Sequence, residues 1–269
     1  MPELPEVETT CSGIRPHLLG KSVLKVEVRE ARLRWPVSQE IEDLAQQEVI
    51  SVQRRAKYIF ITFAHGSIIA HLGMSGSLRI TEKEEELKKH DHLIFTLNNG
   101  KQMRYHDPRR FGCMLWSENP YEHKLIQKLG PEPLENAFHP DYFYTKARSS
   151  NLPIKQFIMN NAVVVGVGNI YACESLFLSS ISPKRVAKRI SKARLTTLCE
   201  NIKTTLAKAI TQGGTTLRDF VNQDGMPGYF QQELFVYNRE NEACSQCGGK
   251  IKRIVQAQRS TFFCSTCQR

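Results

Sequence analysis

The 269-residue sequence predicts a multidomain α+β protein: a helix and a set of antiparallel strands first, helices next, and a four-cysteine hairpin last. Three observations carry this. Short apolar runs, several of them alternating, dominate up to about residue 116, apolar residues recur at helical spacing beyond residue 140, and two Cys-x2-Cys pairs follow residue 243. The composition, 41 % hydrophobic and 24 % charged, is that of an ordinary globular chain large enough to bury a core without disulfide staples. No apolar run approaches the ~20 residues that span a bilayer, so a membrane protein is not expected.

The first helix is marked by Val7, Cys11, Ile14 and Leu18 at helical spacing, with Pro5 near its start and Gly20 past its end. Strand-like segments follow at 24–28, 49–63, 68–72 and 93–97. The last turns at Asn98-Asn99-Gly100 and returns through Met103 and Tyr105. Hairpins of this kind fit a sandwich or a barrel flanked by the first helix. Gly130-Pro131-Glu132-Pro133 reads as a linker. Beyond it, helices are expected at 140–147, 153–160, 169–178 and 191–211, the last closed by Gly213-Gly214. Residues 213–230 have the composition of a loop. The domain boundaries implied are 1–130, 131–230 and 235–269.

Cys244, Cys247, Cys264 and Cys267 form C-x2-C-x16-C-x2-C, the spacing of a closed tetrahedral site for one structural Zn2+, with two disulfides as the alternative. Four thiolates leave no open coordination position, so catalysis is expected elsewhere. From Cys244 onward the chain carries Lys250, Lys252, Arg253, Arg259 and Arg269 and no acid. Alternation through Ile251, Arg253 and Val255, then 261–263, predicts a hairpin with 256–260 at its tip and Arg259 on it. A charge run is usually a solvated face, but this one lies on a zinc ribbon in a chain of net charge +10, which points to a polyanionic partner. Residues 163–171, VVVGVGNIY, form a glycine-rich turn opening a helix, where backbone N–H groups can hold a phosphate; the pattern is not that of a nucleotide-cofactor site.

MPELPEVET at the N-terminus, RRAKY at 54–58, HLGMSGSLR at 71–79, DPRRFG at 107–112, VGVGNIYA at 165–172 and the four-cysteine ribbon together resemble the bacterial formamidopyrimidine-DNA glycosylase family from end to end. Leu4 and Val7 resemble this branch of the superfamily; the pyrimidine-preferring endonuclease VIII branch typically has glycine at the fourth position. The resemblance implies an N-terminal β-sandwich with flanking helices, a helical domain with a helix-two-turn-helix, and a zinc finger. It implies a bifunctional DNA glycosylase and AP lyase that removes 8-oxoguanine and formamidopyrimidines from damaged double-stranded DNA by β,δ-elimination. A bacterial cytoplasmic, nucleoid-associated monomer is the matching expectation; MPELPEVE carries acids and no basic or apolar leader.

Methionine before proline is normally trimmed, which leaves Pro2 with a secondary amine. An α-amino group titrates near about 8, so a neutral, nucleophilic fraction exists at neutral pH, and attack on C1′ gives an iminium that serves as an electron sink. The resemblance assigns this role to Pro2, that of general acid to Glu3, and those of proton donors during elimination to Lys57 and Arg259. A guanidinium is a poor acid, with a pKa above about 12, so Arg259 reads better as a phosphate clamp. A flipped nucleotide leaves a hole in the duplex. By resemblance Met74, Arg109 and Phe111 fill it, and His71, His90, Lys155 and Asn169 contact the DNA backbone. Taken singly, Pro2 could merely start a helix, Lys57 could be solvated, Met74 and Phe111 could be core, Arg109 could pair with Asp107, and a lone histidine is more often structural. The resemblance also implies that residues 213–230, Tyr229 among them, correspond to the region that covers the extruded base. A non-catalytic zinc-ribbon protein that binds DNA or RNA by charge would explain the net charge and the hairpin, but not Pro2 beside Glu3.

Overall fold

The structure is a computed structural model that describes residues 2–214 and 234–269. Most of the expected loop, including Tyr229, lies outside the described residues. The chain forms two compact units, one built mainly from residues up to 127 and the other from 128–211 and the C-terminal segment.

In the first unit, α1 (Leu4–Leu18) buries Val7, Cys11, Ile14 and Leu18 and carries Arg15 and His17 in its last turn, where positive charge favours the helix dipole. Eight strands follow: β1 (Val23–Val28), β2 (Ser51–Arg55), β3 (Tyr58–Phe63), β4 (Gly66–His71), β5 (Ser77–Glu82), β6 (Asp91–Leu97), β7 (Lys101–His106) and β8 (Cys113–Ser117). They pair antiparallel in two sheets, ordered β1-β6-β7-β5 and β2-β3-β4-β8. Ile59, Ile61 and Phe63 of β3, alternating along one face, share a buried cluster with Leu78, Leu93, Phe95 and Met103 of the other sheet and the apolar stripe of α1. Two sheets over one core make a sandwich, which decides between the two architectures the hairpins allowed. Phe60 and Ile69, paired in the β3–β4 ladder, are buried too, and Tyr121 stands edge-on to Phe60 at 5.4 Å. The segment read as one strand over 49–63 is two, because the chain reverses at Ala56-Lys57 with Ala56 at φ +55°. Lys57 therefore sits on a tight turn, not inside a strand. Gly100, at φ +83°, supplies the left-handed residue of the turn between β6 and β7.

In the second unit the helices are α2 (Pro140–Arg148), α3 (Ile154–Ile158), α4 (Asn169–Leu178) and α5 (Lys192–Thr211). α3 is shorter than the 153–160 expected: Met159 caps it, and the Asn160 carbonyl then accepts the N–H groups of Val163 and Val164 in the turn toward α4. α5 packs against α2 and α4. β9 (Ile251–Gln256) and β10 (Arg259–Cys264) form the hairpin, and β10 packs on α4. Cys173 and Phe177 of α4 join Val236, Ile251 and Phe262 in one buried cluster, which ties the four-cysteine segment to the helices. Among the described residues no helix is long and apolar enough to cross a membrane.

Candidate active site and nucleic-acid interface

Pro2 and Glu3 are buried at the N-terminus of α1. The Glu6 carboxylate, itself fully buried, accepts the Glu3 N–H at 2.8 Å, one arm of a capping box. Glu8 pairs with Arg54 of β2 at 2.6 Å, and the same guanidinium donates to the Ala56 carbonyl at 3.0 Å. Arg54 thus fixes the turn carrying Lys57 to the first turns of α1. Gly214, at φ +82°, lies so close to Glu6 that a Cβ there would be 3.1 Å from its Oε1.

His71 ends β4 and faces Tyr58 across the ladder, ring centroids 4.9 Å apart. Its Nδ1 accepts the Gly73 N–H at 2.9 Å, so Nε2 carries the proton. Burial, reinforced by the charges of Lys57 and Arg34, pushes its pKa down from 6.5 to about 4, so the ring is a neutral donor at physiological pH. The two loops beyond it touch: a Cβ on Gly73 would lie 2.8 Å from the Phe111 carbonyl oxygen. Half-buried Met74 sits on one loop, and Arg109 and Phe111 on the other. Phe111 is 45 % exposed, and the Arg109 guanidinium stacks over its ring at 4.9 Å. Neither the core role open to Phe111 nor the Arg109–Asp107 pair is what forms. Asp107 instead accepts the Gly112 N–H at 2.8 Å and the Tyr105 hydroxyl at 3.2 Å, pinning the loop that displays Arg109 and Phe111. His90 lines a separate cleft of about 380 Å3 with Arg29, Lys89, His92 and Arg110; its pKa is lowered by desolvation and by the neighbouring His106, His92, Lys89 and Arg110.

In the second unit Lys155, Asn169 and the hairpin converge. Lys155, expected as a phosphate contact, is 1 % exposed, and its ammonium donates to Asn169 Oδ1 at 2.6 Å, Thr261 Oγ1 at 2.7 Å and the Ser260 carbonyl at 3.1 Å. Asn169, the first residue of α4, donates through Nδ2 to that same carbonyl at 2.9 Å. This brace secures the residue next to Arg259, which is exposed and starts β10; the tip itself is Ala257-Gln258. Lys155 and Arg259 line a cleft of about 280 Å3 with Leu152, Met159 and Gln256.

The four cysteines fit a zinc ion. Their Sγ atoms all lie within 4.8 Å of one another, with Cys244–Cys267 at 3.9 Å and Cys247–Cys264 at 3.5 Å. A tetrahedron with Zn–S bonds of about 2.3 Å has edges of roughly 3.8 Å. These separations are far beyond a disulfide bond of about 2.05 Å, and all four thiols are free. Gly248, at φ +71°, makes the first knuckle, its N–H donating to the Cys244 carbonyl at 2.8 Å.

Profiles of the formamidopyrimidine-DNA glycosylase N-terminal domain, its H2TH domain, and a zinc finger found in FPG and IleRS match residues 1–114, 129–221 and 241–269. The chain is 53 % identical to the formamidopyrimidine-DNA glycosylase of Pseudomonas fluorescens over 270 residues, and 54 % identical to that of Yersinia enterocolitica over 268, with all of each chain covered. The chain belongs to the formamidopyrimidine-DNA glycosylase family. Among solved members, a Lactococcus lactis FPG mutant in complex with a Fapy-dG-containing DNA superposes with a TM-score of 0.93 at 32 % identity, covering all of both chains. The MutM (FPG) protein from Thermus thermophilus gives 0.89 at 35 %, covering 99 % of this chain and 98 % of that one.

Sequence reading misses four supporting residues. Glu6 and Arg54 are visible in the sequence only as a first-turn acid and one arginine of a pair, and Asp107 only as a partner for Arg109. Glu174 is the fourth: this buried carboxylate accepts the N–H groups of Phe235, Val236 and Tyr237 at 2.8–3.0 Å. Its one sequence signal is a charge between Ile170 and Phe177 on the apolar stripe of α4.

Proposed function

We propose that this chain excises 8-oxoguanine and formamidopyrimidines from damaged duplex DNA and then cuts the strand, acting as a monomer with Pro2 as the nucleophile. The observation that carries this reading is Pro2 buried at the positive end of α1 and followed by the buried carboxyl of Glu3. Both the helix dipole and desolvation disfavour an ammonium there, so the trimmed amine keeps its lone pair at neutral pH. Attack on C1′ breaks the glycosidic bond, and Glu3 supplies the proton that the opening sugar oxygen or the departing base requires. The resulting iminium acidifies C2′; loss of that proton expels the 3′ phosphate, and a second elimination expels the 5′ phosphate. One intermediate thereby serves both base removal and strand cleavage.

Lys57, held on its turn near α1 by Arg54, gives a proton on the DNA during elimination. His71 offers a neutral Nε2–H to a phosphate. Met74 and Phe111 supply apolar surface for the hole left by the flipped nucleotide, while Arg109 hydrogen-bonds the orphaned base. His90 and Asn169 contact the DNA backbone. Lys155 is better suited to positioning than to direct contact: its three protons already have acceptors, and these hold Asn169 and the Arg259 strand together. Arg259 clamps the departing phosphate. Bound zinc supplies structure, holding the hairpin that presents Arg259. The work divides among residues 1–130 for chemistry, 131–230 for helical DNA binding and 235–269 for the finger, and a DNA substrate calls for work on the nucleoid of a bacterial cytoplasm.

Borohydride reduction on a duplex with an abasic site tests the mechanism. A covalent adduct is expected for the mature chain and none once its α-nitrogen is acylated; an undiminished adduct from the acylated chain overturns the assignment. Faster single-turnover cleavage of thymine glycol than of 8-oxoguanine opposite cytosine would overturn the choice of substrate.

A further inference from the structure

Arg34 lies in the stretch between β1 and β2 that runs along the free edge of β8. Its N–H donates to the Gly112 carbonyl at 3.2 Å; farther on, the Ser38 N–H donates to Met114, and the Ser38 hydroxyl accepts the Trp116 N–H at 2.9 Å. These bonds fix Arg34 beside the Gly112–Cys113 end of β8, and Cys113 pairs directly with His71 in the sheet. Tyr58, next to Lys57, flanks His71 on its other side. The topology therefore gathers Arg34, Lys57 and His71 at one corner of the sandwich.

The neighbouring basic side chains differ in what they hold. Arg29 donates to the carbonyls of Lys88 and Asp91, Arg32 and Arg110 pair with Glu30, and Arg54 pairs with Glu8. Arg34 is exposed, has no acidic partner among the described residues, and lies over the Trp35 ring at 4.7 Å. That stacking orients a guanidinium without neutralising it. Its charge is felt at His71, Tyr58 and Cys113 alike, in each case favouring the deprotonated form, in keeping with its place at this corner.

We infer that Arg34 is a further phosphodiester-binding residue, completing a subsite with Lys57 and His71 for one DNA phosphate. The planar fork of Arg34 grips two phosphate oxygens, the Lys57 ammonium adds a point charge, and neutral His71 donates from Nε2. A cationic imidazole here would face two positive charges, so a neutral donor suits the third place. This inference rests on the DNA-repair reading above and deepens it.

The test is binding of the full-length zinc-loaded protein to a duplex bearing a tetrahydrofuran abasic analogue, across a series of salt concentrations. Arg34→Gln is expected to bind roughly three- to thirtyfold more weakly, and to lower the slope of log affinity against log salt by less than the ~0.9 of a whole phosphate contact, because Lys57 stays on the same phosphate. Arg34→Lys should recover part of the affinity but not all of it, because a point charge replaces the two-pronged fork, and Arg32→Gln should shift affinity less than twofold. NMR titration should show the His71 pKa rising from about 4 in Arg34→Gln, which places the guanidinium beside the ring whatever the binding result. Unchanged affinity in Arg34→Gln, with the His71 pKa raised, overturns the phosphate role. A wild-type chain with no salt-dependent affinity for the duplex sinks the DNA reading itself, a distinct outcome.

Discussion

A neutral imidazole at His71 makes stability depend on pH in a direction that can be worked out. Burial first, and the charges of Lys57 and Arg34 after it, hold the folded pKa at about 4 against 6.5 for a free ring. Between those values the unfolded chain binds the proton and the folded chain does not, so stability rises with pH across the window. The contribution is fully present above about pH 6.5 and is lost as pH falls toward 4, amounting to roughly 2 to 3 kcal/mol. Urea titrations at pH 4.5 and 7 should therefore differ less for His71→Gln than for the parent by about that amount; an equal pH dependence would show that His71 titrates normally. The HLGMSG motif makes His71 legible as a candidate but not its neutrality, because Arg34 acts on it across 37 positions of chain. Glu174 illustrates the same limit. A carboxylate on an apolar helical stripe advertises a buried partner, yet the three amides it accepts lie 61 to 63 positions away. The sequence motif names His71 and passes over Glu174; for both, only the tertiary fold names the partners.

At the scale of elements, helices and strands are legible where one periodicity rules: α1, α4 and α5 fall within a residue of expectation, and so does the strand after residue 23. Legibility fails at turns that lack their usual residues. The β2–β3 reversal uses Ala56 at φ +55° with no glycine or asparagine to mark it, so the run over 49–63 reads as continuous. The β9–β10 turn also lacks glycine and asparagine, yet the alternation on both sides places it within 256–260; Ala257 at φ +46° and Gln258 at φ +60° take the left-handed region that a two-residue hairpin demands. For side chains with a Cβ that conformation costs roughly 1 kcal/mol. Gln258→Gly is accordingly expected to stabilise the hairpin by about 0.5 to 1 kcal/mol, seen as slower hydrogen exchange of the β9 and β10 amides. Faster exchange would mean that Gln258 makes a contact worth more than the strain. Holding Arg259 immediately after a strained turn is costly, and the Lys155–Asn169–Ser260 brace offsets it by anchoring the adjoining residue.

For the whole molecule, the decisive feature is that each unit has its own core. The sandwich buries its cluster between two sheets and α1, whereas the second unit draws α4, the segment around Val236 and the hairpin into one cluster that includes Cys244 and Cys264. A metal bound by those thiolates therefore stabilises the cluster of the second unit. From Cys244 to the end the chain has five basic residues and no acid, so even four thiolates with one Zn2+, at −2 in total, leave the finger net positive. This is where a chain of net charge +10 gains by presenting cations in fixed geometry, since each phosphate neutralised adds about 0.9 to the salt slope. Removing zinc with a chelator, or replacing Cys244 by Ser, should release the hairpin and with it Arg259. The expected result is weaker binding to an abasic-site duplex and a shallower salt slope, while the β-sheet circular dichroism and the hydrogen-exchange protection of β3, β4 and β6 stay as they were. Unfolding of the sandwich together with the finger would show that the two cores are coupled. Undiminished affinity after zinc loss would remove the finger, and Arg259 with it, from the DNA-binding surface.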